Sequence, residues 1–244
     1  MTAEPCRYLE WDSAFFGKRI AQVEGQRLDT SRLEAIRRWC EDNEIACLYL
    51  LADSDHAETV RLAEDGGFRL VDIRCTLIRE LSVPTSDEAP AQATAHMREA
   101  RQQDLPAIRA IARKGYSFTR FYYDGHFPAE KCAGLYEAWI ENSLRGYSNA
   151  VFVAENEGRI AGYITCNLPR RSENSRIGLV GIASWARQQG IGRALVGHAL
   201  IWFRQQQSPR VEVVTQGRNI PALRLYQRSG FLVDRVQLWY HKWF

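Results

Sequence analysis

Residues 187–193 read RQQGIGR and lie between a β-rich run at 176–183 and a helical pattern that begins near Gly190. The helical pattern places four apolar residues on one face: Ile191, Leu195, Ala199 and Trp202. Backbone N–H groups at the start of such a helix face outward, and glycines let an anion approach them closely. The stretch therefore predicts a strand, a phosphate-binding loop and an amphipathic helix, in that order.

The loop differs from two common nucleotide-binding motifs. It lacks the Lys-Ser/Thr ending of a P-loop and the three-glycine spacing of a dinucleotide fingerprint. ATP and NAD are therefore not favoured as its ligands. Taken alone, the motif also fits a glycine turn that binds no ligand, so the elements around it decide the interpretation.

The regions around the loop predict alternating strands and helices. Strands are expected at 97–100, 151–154, 160–166, 176–183, 211–215 and 232–243, with a hairpin turn at 156–159. Asp104 is expected to cap a helix that has Pro106 in its first turn. Asn219 is expected to cap another helix, which Gly230 ends. The chain from residue 96 onwards is thus predicted to be an α/β domain.

The segment at 82–95 reads SVPTSDEAPAQATA and has neither a helical nor a strand period, so it predicts a linker. It divides the chain into a first domain at 1–81 and a second at 96–244. In the first domain, Ser31 and Glu34 predict a capping box at the start of a helix. Residues 47–52 predict a buried strand.

A short match relates the two parts of the chain. Arg61-Leu62-Ala63 followed by Gly67-Phe68 has the same spacing as Arg224-Leu225-Tyr226 followed by Gly230-Phe231. The first part is then a degenerate copy of the last strand, helix and strand of the second, with Ala63 in place of Tyr226 and His56 in place of Asn219. A coincidence of helix, glycine, phenylalanine and strand is the alternative.

Composition excludes several classes of protein. The 244 residues are 45% hydrophobic and 25% charged, which is typical of a globular protein and excludes a disordered or fibrous chain. A formal charge of +3 without a basic stripe disfavours a nucleic-acid binder, and no apolar run is long enough to span a membrane. The N-terminal residues show no signal-peptide pattern. Six separate cysteines without metal-ligand spacing indicate reduced thiols in a cytoplasmic protein with no metal site.

The loop and the last predicted helix together resemble the GNAT superfamily of acetyltransferases. Arg187-x-x-Gly190-x-Gly192 is similar to its acetyl-CoA loop, and Asn219-x-x-Ala222-x-x-x-Tyr226-x-x-x-Gly230-Phe231 to its final coenzyme-binding helix. The resemblance implies an α/β GNAT fold, with a central mixed, splayed sheet flanked by helices, and acetyl-CoA as co-substrate. It also makes the first part a smaller, degenerate GNAT-like domain.

The resemblance implies roles for individual residues. Tyr226 matches the general acid of the family, because a phenol is protonated at neutral pH and can supply a thiolate leaving group. The coenzyme-binding residues that it implies are Val180, Ile182, Arg187, Gln188, Gln189, Gly190, Ile191, Gly192, Arg193, Asn219 and Tyr226. Ile182 is a candidate oxyanion donor through its N–H group, and Asn219 serves equally well as a helix cap.

Three further segments, 11–17, 139–146 and 214–216, are similar to acetyltransferases that act on dTDP-linked amino sugars. This resemblance implies acetyl transfer to the amine of a dTDP-linked amino-dideoxy sugar, by direct attack in a ternary complex, in polysaccharide biosynthesis. The residues expected to bind this acceptor are Arg120, Phe121, Tyr122 and Asp124, with a hydrophobic hinge as the alternative. Acetylation of another small-molecule or peptide amine, and a catalytically silent CoA-binding protein, are the alternative functions.

The general base and the assembly state are left open by the sequence. Candidate bases are His126, Asp124, Glu137 and Glu141, besides a base that acts through water. Arg170 and Arg171 are either phosphate-binding or solvated loop cations, and His198 is expected to be structural. The apolar stretch at 236–244 either pairs with a second copy in a homodimer or is covered within one chain.

Overall fold

The computed structural model describes residues 4–81, 95–169 and 174–244, and the strands of these ranges form one mixed sheet. The strands are β1 (Cys6–Tyr8), β2 (Ile20–Val23), β3 (Cys47–Asp53), β4 (Arg69–Glu80), β5 (His96–Glu99), β6 (Ala150–Asn156), β7 (Arg159–Asn167), β8 (Ser175–Ile182), β9 (Arg210–Gln216) and β10 (Leu232–Trp243). The helices are α1 (Glu10–Phe16), α2 (Thr30–Asp42), α3 (Ala57–Asp65), α4 (Leu105–Gly115), α5 (Arg120–Asp124), α6 (Ala129–Asn142), α7 (Ile191–Gln205) and α8 (Ile220–Arg228). The sheet has the order β1-β2-β3-β10-β4-β9-β8-β7-β6-β5.

The α/β fold class predicted from the sequence is confirmed, because helices flank a sheet that contains both parallel and antiparallel pairs. The strands expected at 97–100, 176–183 and 211–215 lie within one residue of β5, β8 and β9 at each end. The hairpin between β6 and β7 turns at Glu157 and Gly158, whose positive φ angles of 50° and 72° are those of a type I′ turn. Most of the linker predicted at 82–95 lies outside the described residues.

Two predicted helix caps are corrected by the structure. The cap of α2 is Asp29 and not Ser31, because the Asp29 carboxylate accepts a backbone N–H of the first turn. Asp104 does not cap α4 with its side chain, since that carboxylate accepts the Arg101 N–H and pairs with Arg98 at 2.7 Å. The apolar period thus located both helices, whereas the capping bonds depend on the turns that precede them.

The C-terminal strand β10 lies inside the sheet. It pairs with β3 on one side and with β4 on the other, in both cases antiparallel. In the described part of the chain, β1 and β5 are the edges of the sheet. A dimer formed by strand pairing at 236–244 is therefore wrong, and the alternative of coverage within one chain is correct, because both sides of this strand are already hydrogen-bonded.

The units β3-α3-β4 and β9-α8-β10 share the local geometry that their sequence match predicted. Gly67 and Gly230 both have a positive φ, of 78° and 79°. The residues that follow, Phe68 and Phe231, donate their N–H groups to the carbonyls of Ala63 and Tyr226, at 2.9 and 3.0 Å. Corresponding residues of the two units are 163 positions apart, as Gly67 and Gly230 are.

The same offset of 163 residues relates the strand pairs at the centre of the sheet. Each pair between β4 and β10 has a symmetric counterpart, found by adding 163 to the number of its β4 residue and subtracting 163 from that of its β10 residue. Cys75 pairs with Val236, for example, and Leu238 correspondingly pairs with Ile73. Arg74 and Gln237 are themselves 163 positions apart and pair with each other, so they lie on a local twofold axis. Their outer partners, Asp53 and Gln216, obey the same rule. The final strand of each unit is thus inserted into the other unit.

The first unit lacks the features of an anion site. The N-terminus of α2 is capped by the carboxylate of Asp29, which would repel a phosphate. The segment before α2 closes the end of β3, because Asp53 donates its N–H to Gln26 and Leu28 donates its N–H to Thr59 Oγ1 at 2.7 Å. The division of the chain into two domains stays a prediction, since strands of both parts alternate in one sheet.

The two faces of the sheet carry different helices. Arg79 of β4 donates to the carbonyl of Ser229 at the end of α8, so α8 lies on the face that Arg79 shares. Asp72 of β4 points to the opposite face, where it lies near the backbone of Arg120 at the start of α5, which packs against β4. We call these the α8 face and the α5 face.

Candidate active site

β8 and β9 separate near the middle of the sheet. Their parallel pairing ends at Ile177 and Val213, although both strands continue beyond these residues. On its other side β8 remains paired with β7, to which Ala183 donates its N–H at 2.8 Å. Because hydrogen bonding alternates along an antiparallel pair, the N–H groups of Val180 and Ile182 point into the gap between β8 and β9. The sheet is therefore splayed, as expected, and the gap exposes backbone donors.

The loop before α7 follows directly from this gap. Gln188 and Gly190 both have positive φ, of 63° and 78°, so successive N–H groups of the loop turn toward one side. α7 has no side-chain cap, and its first bond runs from the Ala194 N–H to the Gly190 carbonyl. The N–H groups of 191–193 thus have no partner within the helix and can receive an anion. The Ile191 side chain is buried in the core, so only its backbone belongs to the loop surface.

The side chains of the loop point in several directions. Arg187 lines a cavity of about 650 Å³ between α4, the β6–β7 hairpin and the loop, together with Lys114 and Trp185. Gln189 donates from Nε2 to the Trp185 carbonyl at 3.0 Å, and Arg193 is exposed on the first turn of α7. The cradle is therefore formed by backbone groups rather than by a convergent set of side chains.

Tyr226 of α8 lies beside the gap and is only 5% exposed. Burial raises its pKa above the usual range of a phenol, and its ring packs edge-on against Phe231 at 5.9 Å. The hydroxyl of a second tyrosine, Tyr116, lies 3.0 Å from the Val180 carbonyl and 3.0 Å from the Tyr163 hydroxyl. Burial raises the pKa of Tyr116, and the nearby phenol of Tyr226 contributes to that shift. Two protonated phenols thus lie next to the splayed strand, of which the sequence marked only Tyr226.

Asn219 is the N-cap of α8, as expected. Its Oδ1 accepts the Ala222 N–H at 3.3 Å, which satisfies one donor of the first turn. A contact between Asn219 and a coenzyme stays a prediction beside this structural role.

Arg120, expected to bind an acceptor, is held between aromatic rings on the α5 face. Its guanidinium carbon lies 4.2 Å from the ring centroid of Tyr49 and 4.1 Å from that of Trp239. Its Nη1 lies 3.3 Å from His241 Nε2. These contacts occupy the faces of the guanidinium, so Arg120 is part of the packing under α5.

The other residues of the predicted acceptor set are mostly buried as well. Phe121 is 2% exposed and Asp124 is 3% exposed, whereas Tyr122 is half-buried. The Asp124 carboxylate accepts hydrogen bonds from His241 Nδ1 and from Trp243 Nε1, the latter at 3.1 Å. A direct contact of Phe121 or Asp124 with a ligand does not fit this packing. Asp124 instead links α5 to the end of β10 through these hydrogen bonds, and Phe121 packs in the core.

The candidate general bases are held by neighbouring groups. Each has a partner within 3 Å: Glu137 with Arg109 and Arg113, Glu141 with Arg145, and His126 with Asp124. A carboxyl that the sequence did not single out is Asp72, which is 3% exposed on the α5 face. Burial raises its pKa to about 6, although Arg218 opposes the shift. A pKa near neutrality suits proton transfer, and no sequence motif marks this residue.

The structure also bears on smaller predictions. His198 packs edge-on against Phe152 at 4.6 Å, which fits a structural role. All six cysteines are free and buried, as expected for reduced thiols. Arg170 and Arg171 lie outside the described residues. Across the described ranges, no helix has the length and apolarity needed to cross a bilayer, and no cluster of His, Cys, Asp or Glu is arranged to hold a metal ion.

Comparisons with known proteins agree on the acetyltransferase family. A family model described as the acetyltransferase (GNAT) family matches residues 105–231. The dTDP-fucosamine acetyltransferase of Escherichia coli O6:H1 is 26% identical over 237 residues, which are 96% of this chain and 96% of that protein. Spore coat polysaccharide biosynthesis protein SpsD of Bacillus subtilis is 27% identical over 57% of this chain, which spans about half (48%) of its length.

Solved structures show the same fold. A GCN5-related N-acetyltransferase from Sphaerobacter thermophilus aligns with a TM-score of 0.69 over 98% of this chain and 76% of its own, at 17% identity. A GCN5-related N-acetyltransferase from Kribbella flavida aligns with a TM-score of 0.63 over 99% of this chain and 88% of its own, also at 17% identity. Both alignments include the first part of the chain as well as the part that the family model matches.

Proposed function

Because the chain belongs to the GNAT family of acetyltransferases, whose model matches more than half of its length, we propose that it acetylates the amine of a dTDP-linked amino-dideoxy sugar. The donor is acetyl-CoA, as in the family. The observation that supports this acceptor is the match to dTDP-fucosamine acetyltransferase, which extends over 96% of both chains and so includes the first part of this one. The match to a polysaccharide biosynthesis protein supports a sugar acceptor of the same kind.

The coenzyme is proposed to lie in the gap between β8 and β9. The N–H groups of Val180 and Ile182 point into this gap, and that of Ile182 is the proposed donor to the oxyanion. The pyrophosphate is assigned to the loop and the first turn of α7: Arg187, Gln188, Gln189, Gly190, Ile191, Gly192 and Arg193. Asn219 and Tyr226 complete the set from α8.

Gly190→Ala is expected to weaken acetyl-CoA binding by about 10-fold or more, since it disturbs charge-assisted backbone hydrogen bonds. The φ of 78° is strained for a residue with a Cβ, so the unfolding free energy should also fall by about 1–2 kcal/mol. Isothermal titration with acetyl-CoA and thermal unfolding measure the two effects.

The matched control for Gly190→Ala is Gly197→Ala, in the middle of the same helix. A Cβ at Gly197 meets nothing within 4 Å, and this φ is not positive. Gly197→Ala should therefore raise the unfolding free energy by about 0.5–1 kcal/mol and leave acetyl-CoA affinity unchanged. An unchanged affinity in Gly190→Ala would remove the loop from the coenzyme site.

The proposed reaction is a direct transfer in a ternary complex. The neutral amine nitrogen attacks the thioester carbonyl carbon, and the Ile182 N–H stabilises the oxyanion that forms. The carbon–sulfur bond then breaks, and the nitrogen loses its proton to a base, directly or through water. Tyr226 donates its phenolic proton to the departing sulfur, so the products are the acetamide and the free thiol of CoA.

The test is an acetylation assay followed by mass spectrometry. The purified protein is incubated with acetyl-CoA and a panel of dTDP-linked sugars bearing 3- or 4-amino groups, beside polyamines and lysine-containing peptides. A mass gain of one acetyl group on an amino sugar is expected. Acetylation of polyamines or peptides alone would overturn the proposed acceptor while leaving the family assignment intact.

A further inference from the structure

Three arginines share the α5 face of the sheet beside the gap. Arg74 lies on β4, and Arg235 of β10 is diagonal to it, since Arg235 pairs two residues further along β4. Arg176 of β8 pairs in register with Glu212 of β9 and forms an ion pair with it at 3.4 Å. Glu212 in turn pairs with β4 four residues from Arg74, so its side chain lies on the same face. We call Arg74, Arg176 and Arg235 the arginine cluster.

The charge of the arginine cluster is not balanced. Within the described residues, Nε of Arg74 is buried without a hydrogen-bond partner. Burial lowers the pKa of Arg74, and the cations Arg176 and Arg235 lower it further, although Glu212 opposes the shift. Arg176 pairs with Glu212 at 3.4 Å and Arg235 with Asp234 at 3.7 Å, so three guanidinium groups face two carboxylates. The side chains of Arg176 and Arg235 are 45% and 52% exposed, so solvent reaches the cluster. The unpartnered Nε of Arg74 and the surplus of one positive charge fit an anionic ligand.

The arginine cluster lies where an acceptor must approach. Arg74 pairs with Gln216, three residues beyond the last pair of β8 and β9, so it is level with the open part of the gap. The cluster is on the α5 face, opposite Tyr226 and the rest of α8. A ligand on this face reaches the gap from the side away from α8.

The other half of the α5 face is closed by the chain itself. Across the local twofold axis at Arg74 and Gln237, the guanidinium of Arg120 covers Tyr49 and Trp239. Of the two halves of the α5 face related by the twofold axis, Arg120 covers one, and the arginine cluster lies on the other. This difference separates the functional unit from its degenerate copy.

We infer that Arg74, with Arg176 and Arg235, binds the diphosphate of the acceptor substrate. The inference rests on the proposed function for the nature of that substrate, a nucleoside diphosphate sugar. Adjacent phosphates present several charged oxygens in a small space, which planar guanidinium groups can bind in pairs. The part of the chain before the family match, which supplies Arg74, is then part of the acceptor site.

The test compares Arg74→Gln with Arg69→Gln, an exposed arginine at the start of the same strand. Isothermal titration is carried out with dTDP, thymidine, inorganic pyrophosphate and acetyl-CoA on the full chain. The wild type and Arg69→Gln should bind dTDP and pyrophosphate but not thymidine. Arg74→Gln should bind dTDP about 10- to 100-fold more weakly, as expected for lost charge-assisted hydrogen bonds, and acetyl-CoA with unchanged affinity. Unchanged acetyl-CoA affinity also shows that the variant is folded.

The outcomes separate this inference from the proposed function. If Arg74→Gln raises KM for the amino sugar nucleotide with kcat nearly unchanged, Arg74 stabilises the bound substrate and the transition state equally, and the inference holds. If the wild type acetylates the sugar nucleotide and Arg74→Gln does so with the same KM, the inference is overturned and the function stands. If no sugar nucleotide is acetylated but dTDP binding depends on Arg74, the function fails and the anion site stands. Binding of dTDP and thymidine with equal affinity would overturn the diphosphate assignment.

Discussion

Replacing Tyr226 by phenylalanine is expected to lower kcat by about 10²- to 10⁴-fold, the range for loss of a general acid. The substitution removes only the hydroxyl, and the ring keeps its edge-on contact with Phe231. Burial raises the pKa of Tyr226, so the phenol stays protonated through the working pH range and is available to the thiolate. KM for acetyl-CoA should change little, because the lost interaction is made only in the transition state.

Steady-state kinetics over the working pH range, with the unfolding free energy measured in parallel, tests this role of Tyr226. The matched control is Tyr240→Phe, another buried tyrosine, which packs in the hydrophobic cluster of the first part. The control should retain nearly full kcat. Equal turnover in Tyr226→Phe and wild type at every pH would withdraw the acid role and leave a protonated donor such as Tyr116 to be tested.

Asp124→Ala is expected to lower the unfolding free energy by about 2–4 kcal/mol, because it leaves buried hydrogen-bond donors without an acceptor. The carboxylate accepts from His241 and Trp243, and it lies 2.7 Å from His126 Nδ1. Without it, buried donors at the end of β10 have no acceptor. A loss of this size is a large fraction of the total stability of an ordinary domain.

Urea denaturation measures the effect of Asp124→Ala, with Glu24→Ala as control. Glu24 forms an exposed ion pair with Arg7, at 3.0 Å, so the control should lose less than about 1 kcal/mol. Similar losses in the two variants would contradict a network that holds α5 to β10. Acetyl-CoA affinity should be preserved in any Asp124→Ala protein that remains folded.

The same network makes stability depend on pH. Burial lowers the pKa of His241 to about 4, so the unfolded chain binds a proton below about pH 6.5 that the folded chain does not. Burial opposes the shift of Asp124, but hydrogen bonds from His241 and Trp243 lower its pKa to about 2, and this contribution is lost as pH falls from about 3.8 toward 2. The His241 contribution to the unfolding free energy should therefore fall by roughly 3 kcal/mol between pH 7 and pH 4. Asp72, with its pKa raised to about 6, contributes with the opposite sign over the same range, so the measured quantity is the difference in unfolding free energy between wild type and His241→Gln. Wild type should lose roughly 3 kcal/mol more than this variant between pH 7 and pH 4, and an unchanged difference would contradict the role of His241.

Local patterns predicted much of the fold. The strands at 47–52, 151–154, 160–166 and 232–243 were found with their ends within about two residues, because alternation and turn residues act within one element. β1 and β2, of three and four residues, were not predicted. The caps of α2 and α4 were assigned to the wrong groups because neighbouring turns compete for the same carboxylates.

The candidate site divides in the same way. The loop at 187–193 and Tyr226 were found from the sequence because each belongs to one helix and the turn beside it. Arg120, Phe121 and Asp124 were expected to face an acceptor, since an arginine among aromatics fits either a ligand or a core. Only their partners on β3 and β10 decide between these two environments.

By itself, the sequence determined the family, the order of strands and helices in the second part, and the glycine loop to which we assign the pyrophosphate. Only the tertiary structure decided that β10 lies between β3 and β4, that α5 is packed inward, and that Arg74 lies beside the splayed strands. The physical reason is the distance along the chain between the residues that interact. A helix period or an anion-binding turn depends on residues within a few positions, whereas burial and charge balance depend on partners far along the chain, as for Arg74 with Gln237 and Asp124 with His241.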